Sequence, residues 1–346
     1  MKPLRFSFYA LAVLLSVMAA CAPKATGAPP TAIVPVTGNT STSTTVLIQH
    51  QAIPAQLPDQ RSNQAGDQDS STTAKNKTVP GGDRFTFGKY ERPFNADTMD
   101  TYFPYLDIQN VTIYQDDTWV YGVIVVKGRD ANNAMPGKYA VELDVDRDGR
   151  GDFLVMVSHP ASSDWSTDGV QVWADTNKDV GGSTAARSDS TLSAGDGYET
   201  LVVDSGHGQD ADAAWARLSP DDPNGIQLAV KRSALGGATA YMAGMWAGNE
   251  DLNPALFDIN DHFTHDAAGE ASKDLQYYYP IKQVSELDNT CRMAVGFVPT
   301  GKEPGICPLP AVPGACQPPS PNYCYPYYPW DPNLCCCAYM GSCQQP

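Results

Sequence analysis

Basic residues are scarce in this 346-residue chain: 23 Lys plus Arg stand against 39 Asp plus Glu, a formal charge of −16. A surface of that balance repels a phosphate backbone, so nucleic acid is excluded as a partner. Glutamate is scarcer still. Only 7 of the 39 acids are Glu and 32 are Asp, and the shorter carboxylate suits turns and calcium loops while it disfavours helix interiors. The chain lacks an H-E-x-x-H, a G-x-S-x-G and a paired C-x-x-C, so the common zinc and serine-hydrolase signatures are missing. It also lacks a repeat of roughly 20 to 50 residues, which disfavours solenoids. With 29 Gly and 28 Pro, what remains is a turn-rich β protein.

Charge is absent from residues 6–20, an apolar run that follows Lys2 and Arg5. Its length is that of a signal-peptide core and short of a membrane span. The run ends in Val17, Met18, Ala19, Ala20 and Cys21. This resembles the bacterial lipoprotein signal, in which small residues precede a Cys that is lipidated and becomes the first residue of the mature chain; Met18 stands where that family prefers Leu. The resemblance implies a signal peptide over 1–20, lipid on Cys21, and a protein anchored at the extracellular face of the cell envelope. Without Lys2 and Arg5 the mature chain carries 21 basic and 39 acidic residues, a charge of −18, so acyl chains and not the protein surface would make the membrane contact.

Phe, Tyr and Trp are missing from residues 22–84. Such a segment supplies too little apolar surface to offset its ordering entropy, so 21–84 is expected to be a disordered linker behind the anchor. Aromatics begin at Phe85, and 85–300 is long enough for one sizeable core. Within it Tyr139, Val141, Leu143 and Val145 alternate with Ala140, Glu142, Asp144 and Asp146, the period of a half-buried strand. Further strands are expected over 106–114, 119–127, 153–158, 170–174, 200–203, 214–218, 226–231 and 239–247. These imply an all-β fold, an antiparallel β-sandwich of jelly-roll or immunoglobulin-like type. Residues 258–271 read as a short helix or a loop.

The strand ending at Val145 runs into Asp144, Asp146, Asp148, Gly149, Arg150 and Asp152, which match positions 1, 3, 5, 6, 7 and 9 of the EF-hand calcium loop. Three carboxylates at alternate positions converge only if a sharp turn follows, and Gly149 is where that turn falls. The Arg150 carbonyl and Asp152 would continue the coordination of Ca2+. Position 12 is Val155 in place of the bidentate Glu, and a strand replaces the exiting helix. A weaker loop follows 170–174: Asp175, Asn177 and Asp179, with glycine two residues late. It reads as a second ion site, a donor to the first, or an Asx-rich turn.

With Cys21 assigned to lipid, eight cysteines remain: Cys291, Cys307, Cys316, Cys324, Cys335, Cys336, Cys337 and Cys343. An even count in an exported chain reads as disulfides. The simplest pair is Cys291 with Cys307, tying the tail of 301–346 to the body. Eleven Pro and seven Cys lie in 304–346, so this small disulfide-rich tail needs staples to hold a fold.

Other signals are weaker. The stretch L-V-V-D-S-G at 201–206 resembles the active-site strand of pepsin-like proteases, which need a second such Asp, and none is present. His262, His265, Asp266 and Glu270 would share one face of a helix, the basis for an alternative reading as a metal-dependent hydrolase. Trp165, between Asp164 and Ser166, is expected to be the most exposed body tryptophan and would suit sugar stacking. Over roughly residues 100–250 the body resembles DOMON domains and family nine carbohydrate-binding modules, on the strand Ile226, Gln227, Leu228, Ala229, Val230, Lys231 and the turn Ser233, Ala234, Leu235, Gly236. The whole layout is similar to surface lipoproteins with calcium-loop sandwiches. The resemblance implies a non-enzymatic binding or adhesion module whose partner is a glycan or a surface protein. Metabolic labelling with a fatty-acid analogue is expected to mark the wild type and not Cys21→Ser; equal labelling of both removes the anchor.

Overall fold

A computed structural model describes residues 48–79, 82–181, 187, 192–269, 280–309, 330–331, 336–339 and 342–344. Runs of Val, Ile and aromatic residues bounded by Gly, Asp and Asn become strands, since such side chains fit a pleated, packed surface. In chain order they begin with β1 (Asn63–Gly66), β2 (Glu91–Arg92), β3 (Ile108–Gln115), β4 (Trp119–Val126), β5 (Lys138–Asp144), β6 (Phe153–Ser158) and β7 (Val170–Ala174). They continue with β8 (Thr200–Asp204), β9 (His207–Gly208), β10 (Ala214–Leu218), β11 (Gly225–Lys231), β12 (Tyr241–Gly248), β13 (Leu287–Asn289) and β14 (Met293–Val295). Two one-turn helices, α1 (Ile259–His262) and α2 (His265–Ala268), occupy the connection between β12 and β13.

One sheet runs β1-β3-β4-β11-β10 and the other β2-β13-β12-β5-β6-β7-β8-β9, with β14 also on β12. Their ladders are antiparallel. Val111, Ile113, Ile124 and Leu228 from the first sheet interlock with Val141, Val157, Val172 and Met245 from the second in one core. The fold is an all-β antiparallel sandwich, and every strand expected from the sequence is present. The tail contributes three short strands at 330–331, 336–339 and 342–344 that pair with one another.

Strand β5 departs from the half-solvated pattern. Tyr139, Val141 and Leu143 enter the sandwich core as the alternation requires. The opposite face is covered too: Ala140 packs with Leu154, Met156, Trp246 and Phe257 in a second cluster, to which Phe85, Ile259 and Ala268 contribute from turns and helices. Glu142 and Asp144 share this face and are buried. Two carboxylates are thereby taken out of water, where each needs a counter-charge, hydrogen bonds or a proton.

A disordered linker reaching to Arg84 does not hold from residue 48 onward. β1 adds to the edge of β3 with Asn63 opposite Ile113, and Ser70, Thr78 and Val79 are buried. Ala52 and Leu57 pack on Trp119, Tyr121 and Trp215 over the outer face of the five-stranded sheet. Composition misjudged this arm because it brings small residues and backbone groups, and borrows apolar surface from the sheet. Residues 1–47, with the signal and Cys21, lie outside the described residues.

The arm is anchored by Asp212. Its carboxylate accepts the Gln51 and Ala52 amides at 2.7 and 2.8 Å and meets His50 Nδ1 at 2.7 Å. Asp212→Ala strands two amides and is expected to cost about 1 to 3 kcal/mol, a fall of about 2 to 4 °C in melting midpoint per kcal/mol for a domain of this size. New protease cleavage within 48–57 should accompany it. An unchanged midpoint and digest would show that the arm is not held there.

Candidate metal centre

The loop between β5 and β6 is built by its own carboxylates. Asp144, fully buried at the end of β5, accepts the Arg147 amide at 2.5 Å and the Gly149 amide at 2.8 Å. Arg147 takes a left-handed φ of 66° and Gly149 one of 94°, so the chain doubles back where glycine carries no penalty. Asp152 closes the other side, its Oδ2 accepting the Val145 and Asp146 amides at 2.6 and 3.3 Å. Gly151 is required for space: a Cβ there would sit 1.7 Å from the Tyr198 hydroxyl and 2.6 Å from Glu142 Oε1.

Asp144, Asp146 and Asp152 each offer an oxygen, and these oxygens lie within 4.8 Å of one another. Asp148 does not join them. Its Oδ1 accepts the Arg150 amide at 2.8 Å and its Oδ2 lies 3.4 Å from the Arg150 guanidinium. Beneath the loop, Arg292 donates to the Gly149 carbonyl and, at 3.0 Å, to Glu142 Oε1. Glu142 also accepts the Trp246 indole at 3.0 Å and the Tyr198 hydroxyl at 3.3 Å. Arg292 is held in turn by the Cys291–Cys307 disulfide beside it and by the Gly305 carbonyl, 2.8 Å from its amide. Cys337 is disulfide-bonded as well. Cys316, Cys324 and Cys335 lie outside the described residues, and Cys336 and Cys343 are placed only as backbone in the tail strands.

The second loop repeats the first. Asp175 accepts the amides of Lys178, Asp179 and Val180 at 2.6, 3.3 and 3.0 Å, and Lys178 is left-handed with φ 62°. Asn177 Oδ1 accepts the Asp179 amide at 3.1 Å, while Asp179 Oδ2 accepts the Asp196 amide at 3.1 Å. What this loop sends to the first centre is a cation: Lys178 Nζ lies 2.8 Å from Asp146 Oδ2. That contact holds the Asp146 carboxyl below the ordinary range. Burial drives Asp144 the other way, to about 7, against the pull of Arg292 and the loop amides.

The face expected to unite His262, His265, Asp266 and Glu270 does not form. Phe263 is extended, with φ −130° and ψ 150°, and separates α1 from α2. His265 Nε2 is 2.6 Å from the Thr86 hydroxyl and His262 Nε2 is 3.4 Å from the Phe257 carbonyl; Glu270 lies outside the described residues. Neither histidine belongs to a group able to hold a metal among the described residues. Trp165 is half-buried, not exposed. Its indole donates to the Ala55 carbonyl at 3.2 Å and the Arg217 guanidinium lies 4.3 Å from its ring centroid. Of the other body tryptophans, Trp173 is half-buried and Trp119, Trp215 and Trp246 are buried.

A second acidic group, Glu91, Asp107 and Asp288, has oxygens within the same 4.8 Å and all three residues are buried. No spacing reveals it, since the three come from β2, the residue before β3, and β13. The one trace in the sequence is acid set inside strand-forming segments. Burial raises the Asp107 carboxyl to about 6 and that of neighbouring Asp67 to about 7.

No family model, curated protein or solved structure matches this chain. The functional reading therefore rests on the geometry of its own carboxylates.

Asp144, Asp107 and Asp67 bind protons more tightly folded than unfolded, where carboxyls titrate near about 4. Between about pH 4 and pH 7 the folded state thus holds extra protons, and stability contributed by these groups is lost as pH rises. His265, whose burial lowers its affinity for protons, opposes this with a single group. In EDTA the melting midpoint is expected to be higher at about pH 5.5 than at about pH 7.5; a flat or rising profile would show that these acids are not buried as charges.

Proposed function

We propose that this protein is an envelope-anchored, calcium-binding β-sandwich lipoprotein that serves as a non-enzymatic binding or adhesion module. The observation that carries the reading is the convergence of Asp144, Asp146 and Asp152 at the mouth of the β5–β6 hairpin. The centre offers carboxylate oxygen without Cys or His, a donor set for hard cations. Calcium tolerates irregular shells of six to eight oxygens and completes them with water, whereas magnesium demands a tight octahedron. An ion here joins the ends of two core strands, so its role is structural: it converts repulsion among three acids into coordination.

The anchor and address rest on the run at 6–20 and on Cys21. Among the described residues no helix is long and apolar enough to cross a membrane, and the lipid is the membrane contact in this reading. The likeness to DOMON domains and family nine carbohydrate-binding modules supports a binding role and names no ligand.

Calcium-loop modules outside cells bind with dissociation constants near about 10⁻⁴ to 10⁻³ M. At roughly a hundredfold excess the gain is about 2.7 kcal/mol. Chelation is then expected to lower the melting midpoint by about 5 to 11 °C, Asp146→Ala to reproduce that loss and to make EDTA without further effect, and magnesium to restore little. Identical midpoints in calcium and EDTA would remove the calcium reading.

A further inference from the structure

We propose that Glu91, Asp107 and Asp288, with Asp67 beside them, form a second and deeper site for a hard divalent cation of calcium type, one that clamps the N-terminal arm and both sheets together. The site is independent of the β5–β6 loop.

The β2–β13 register sets Asp288 directly opposite Glu91. Like charges in that relation destabilise a ladder even at a surface, and here Glu91 is 2% exposed and Asp288 0%. Asp107, equally buried, enters from the other sheet, immediately before β3. Oxygens that all lie within 4.8 Å of one another are close enough to share one cation at calcium's usual distances of about 2.3 to 2.6 Å.

The protein contacts of these carboxylates are neutral. Glu91 accepts the Ser70 hydroxyl at 2.7 Å, Asp288 Oδ2 the Ile108 amide at 2.6 Å, and Asp107 the Tyr102 hydroxyl at 2.5 Å and the Gln109 side-chain amide at 2.6 Å. Among the described residues none of the three forms an ion pair. Arg92 follows Glu91 in sequence, but its guanidinium is spent on Asp83 at 2.7 and 3.1 Å and on the carbonyls of Ala268, Val284 and Gly269. Lys89 offsets part of the charge of Asp67, and Lys127, itself paired with Asp69 at 2.6 Å, part of that of Asp107.

Two oxygens supply the independent pointer to a ligand. Asp288 Oδ1 and Asp67 Oδ2 are both buried without a hydrogen-bond partner, and native proteins rarely leave buried carboxylate oxygens in that condition. Asp67 belongs to the arm just past β1, its amide bonded to the Gln109 carbonyl at 3.1 Å. A cation taking both orphan oxygens with Glu91 and Asp107 would tie the arm, β3, β2 and β13 at one point.

The test is calcium chloride alone, titrated calorimetrically into the metal-stripped full chain. Asp288→Asn keeps an acceptor for the Ile108 amide, and with Glu91→Gln it is expected to bind one ion fewer than wild type. Asp146→Ala should also lose one ion, and its combination with Asp288→Asn two. Calcium should slow hydrogen exchange over 63–70 in the wild type and in Asp146→Ala but not in Asp288→Asn. If both variants bind as many ions as wild type, or if wild type shows no such protection, the second site is overturned. If instead Asp146→Ala binds like wild type while Asp288→Asn binds one ion fewer, this site stands and the reading of the β5–β6 loop falls. Should both carboxylate variants fail to fold by circular dichroism, exchange protection in wild type and Asp146→Ala decides the matter.

Discussion

Arg292 sets its guanidinium between the Glu142 carboxylate and the Gly149 carbonyl, and the covered face of the second sheet depends on that one cation. Glu142 is buried because β5 alternates and both of its faces are packed. A buried carboxylate stripped of its partner is destabilising by about 3 to 5 kcal/mol, so the Trp246 and Tyr198 hydrogen bonds to Glu142 presuppose the arginine. The loop of Asp144, Asp146 and Asp152 rests on the same group through Gly149. Since the Cys291–Cys307 bridge flanks Arg292, the attachment of the tail and the shape of the acidic loop are parts of one arrangement.

Acid is carried inward at two places in the second sheet, on central β5 and at the β2–β13 edge, and the two are handled differently. Around Glu142 the protein supplies a cation of its own. Around Glu91 and Asp288 it supplies hydroxyls and amides, and the neighbouring guanidinium of Arg92 is turned to the far side by the alternation of β2. The N-terminal arm acts at both levels of this edge, adding β1 to the first sheet while bringing Ser70 to Glu91.

How much of this was legible follows from the range of each interaction. Strands such as Val170–Ala174 and the turn carboxylates of 144–152 announce themselves within ten residues of sequence, because alternation and loop closure are local. That Glu142 is buried was not legible, since what surrounds it, Tyr198, Trp246 and Arg292, comes from segments far along the chain. The arm misled composition for a related reason: Ala52 and Leu57 are too few to form a core but enough to complete one. The segment 258–271, read as a short helix or a loop, forms two single turns parted at Phe263, whose ring packs against the second cluster. The Glu91, Asp107 and Asp288 group depends on a strand pairing across nearly two hundred residues, and no local pattern encodes such a register.

The Lys178 contact with Asp146 gives the first loop a resident competitor. Any divalent ion that takes Asp146 must first displace an ammonium group, so uptake is an exchange of one positive charge for another. An exposed pair of this kind is worth at most about 1 kcal/mol, or roughly a fivefold discount in affinity. In return the hairpin is never left with three bare acids when ions are scarce. The lysine evens out the difference between a loop that holds an ion and one that does not, so the strands it joins stay paired in either condition.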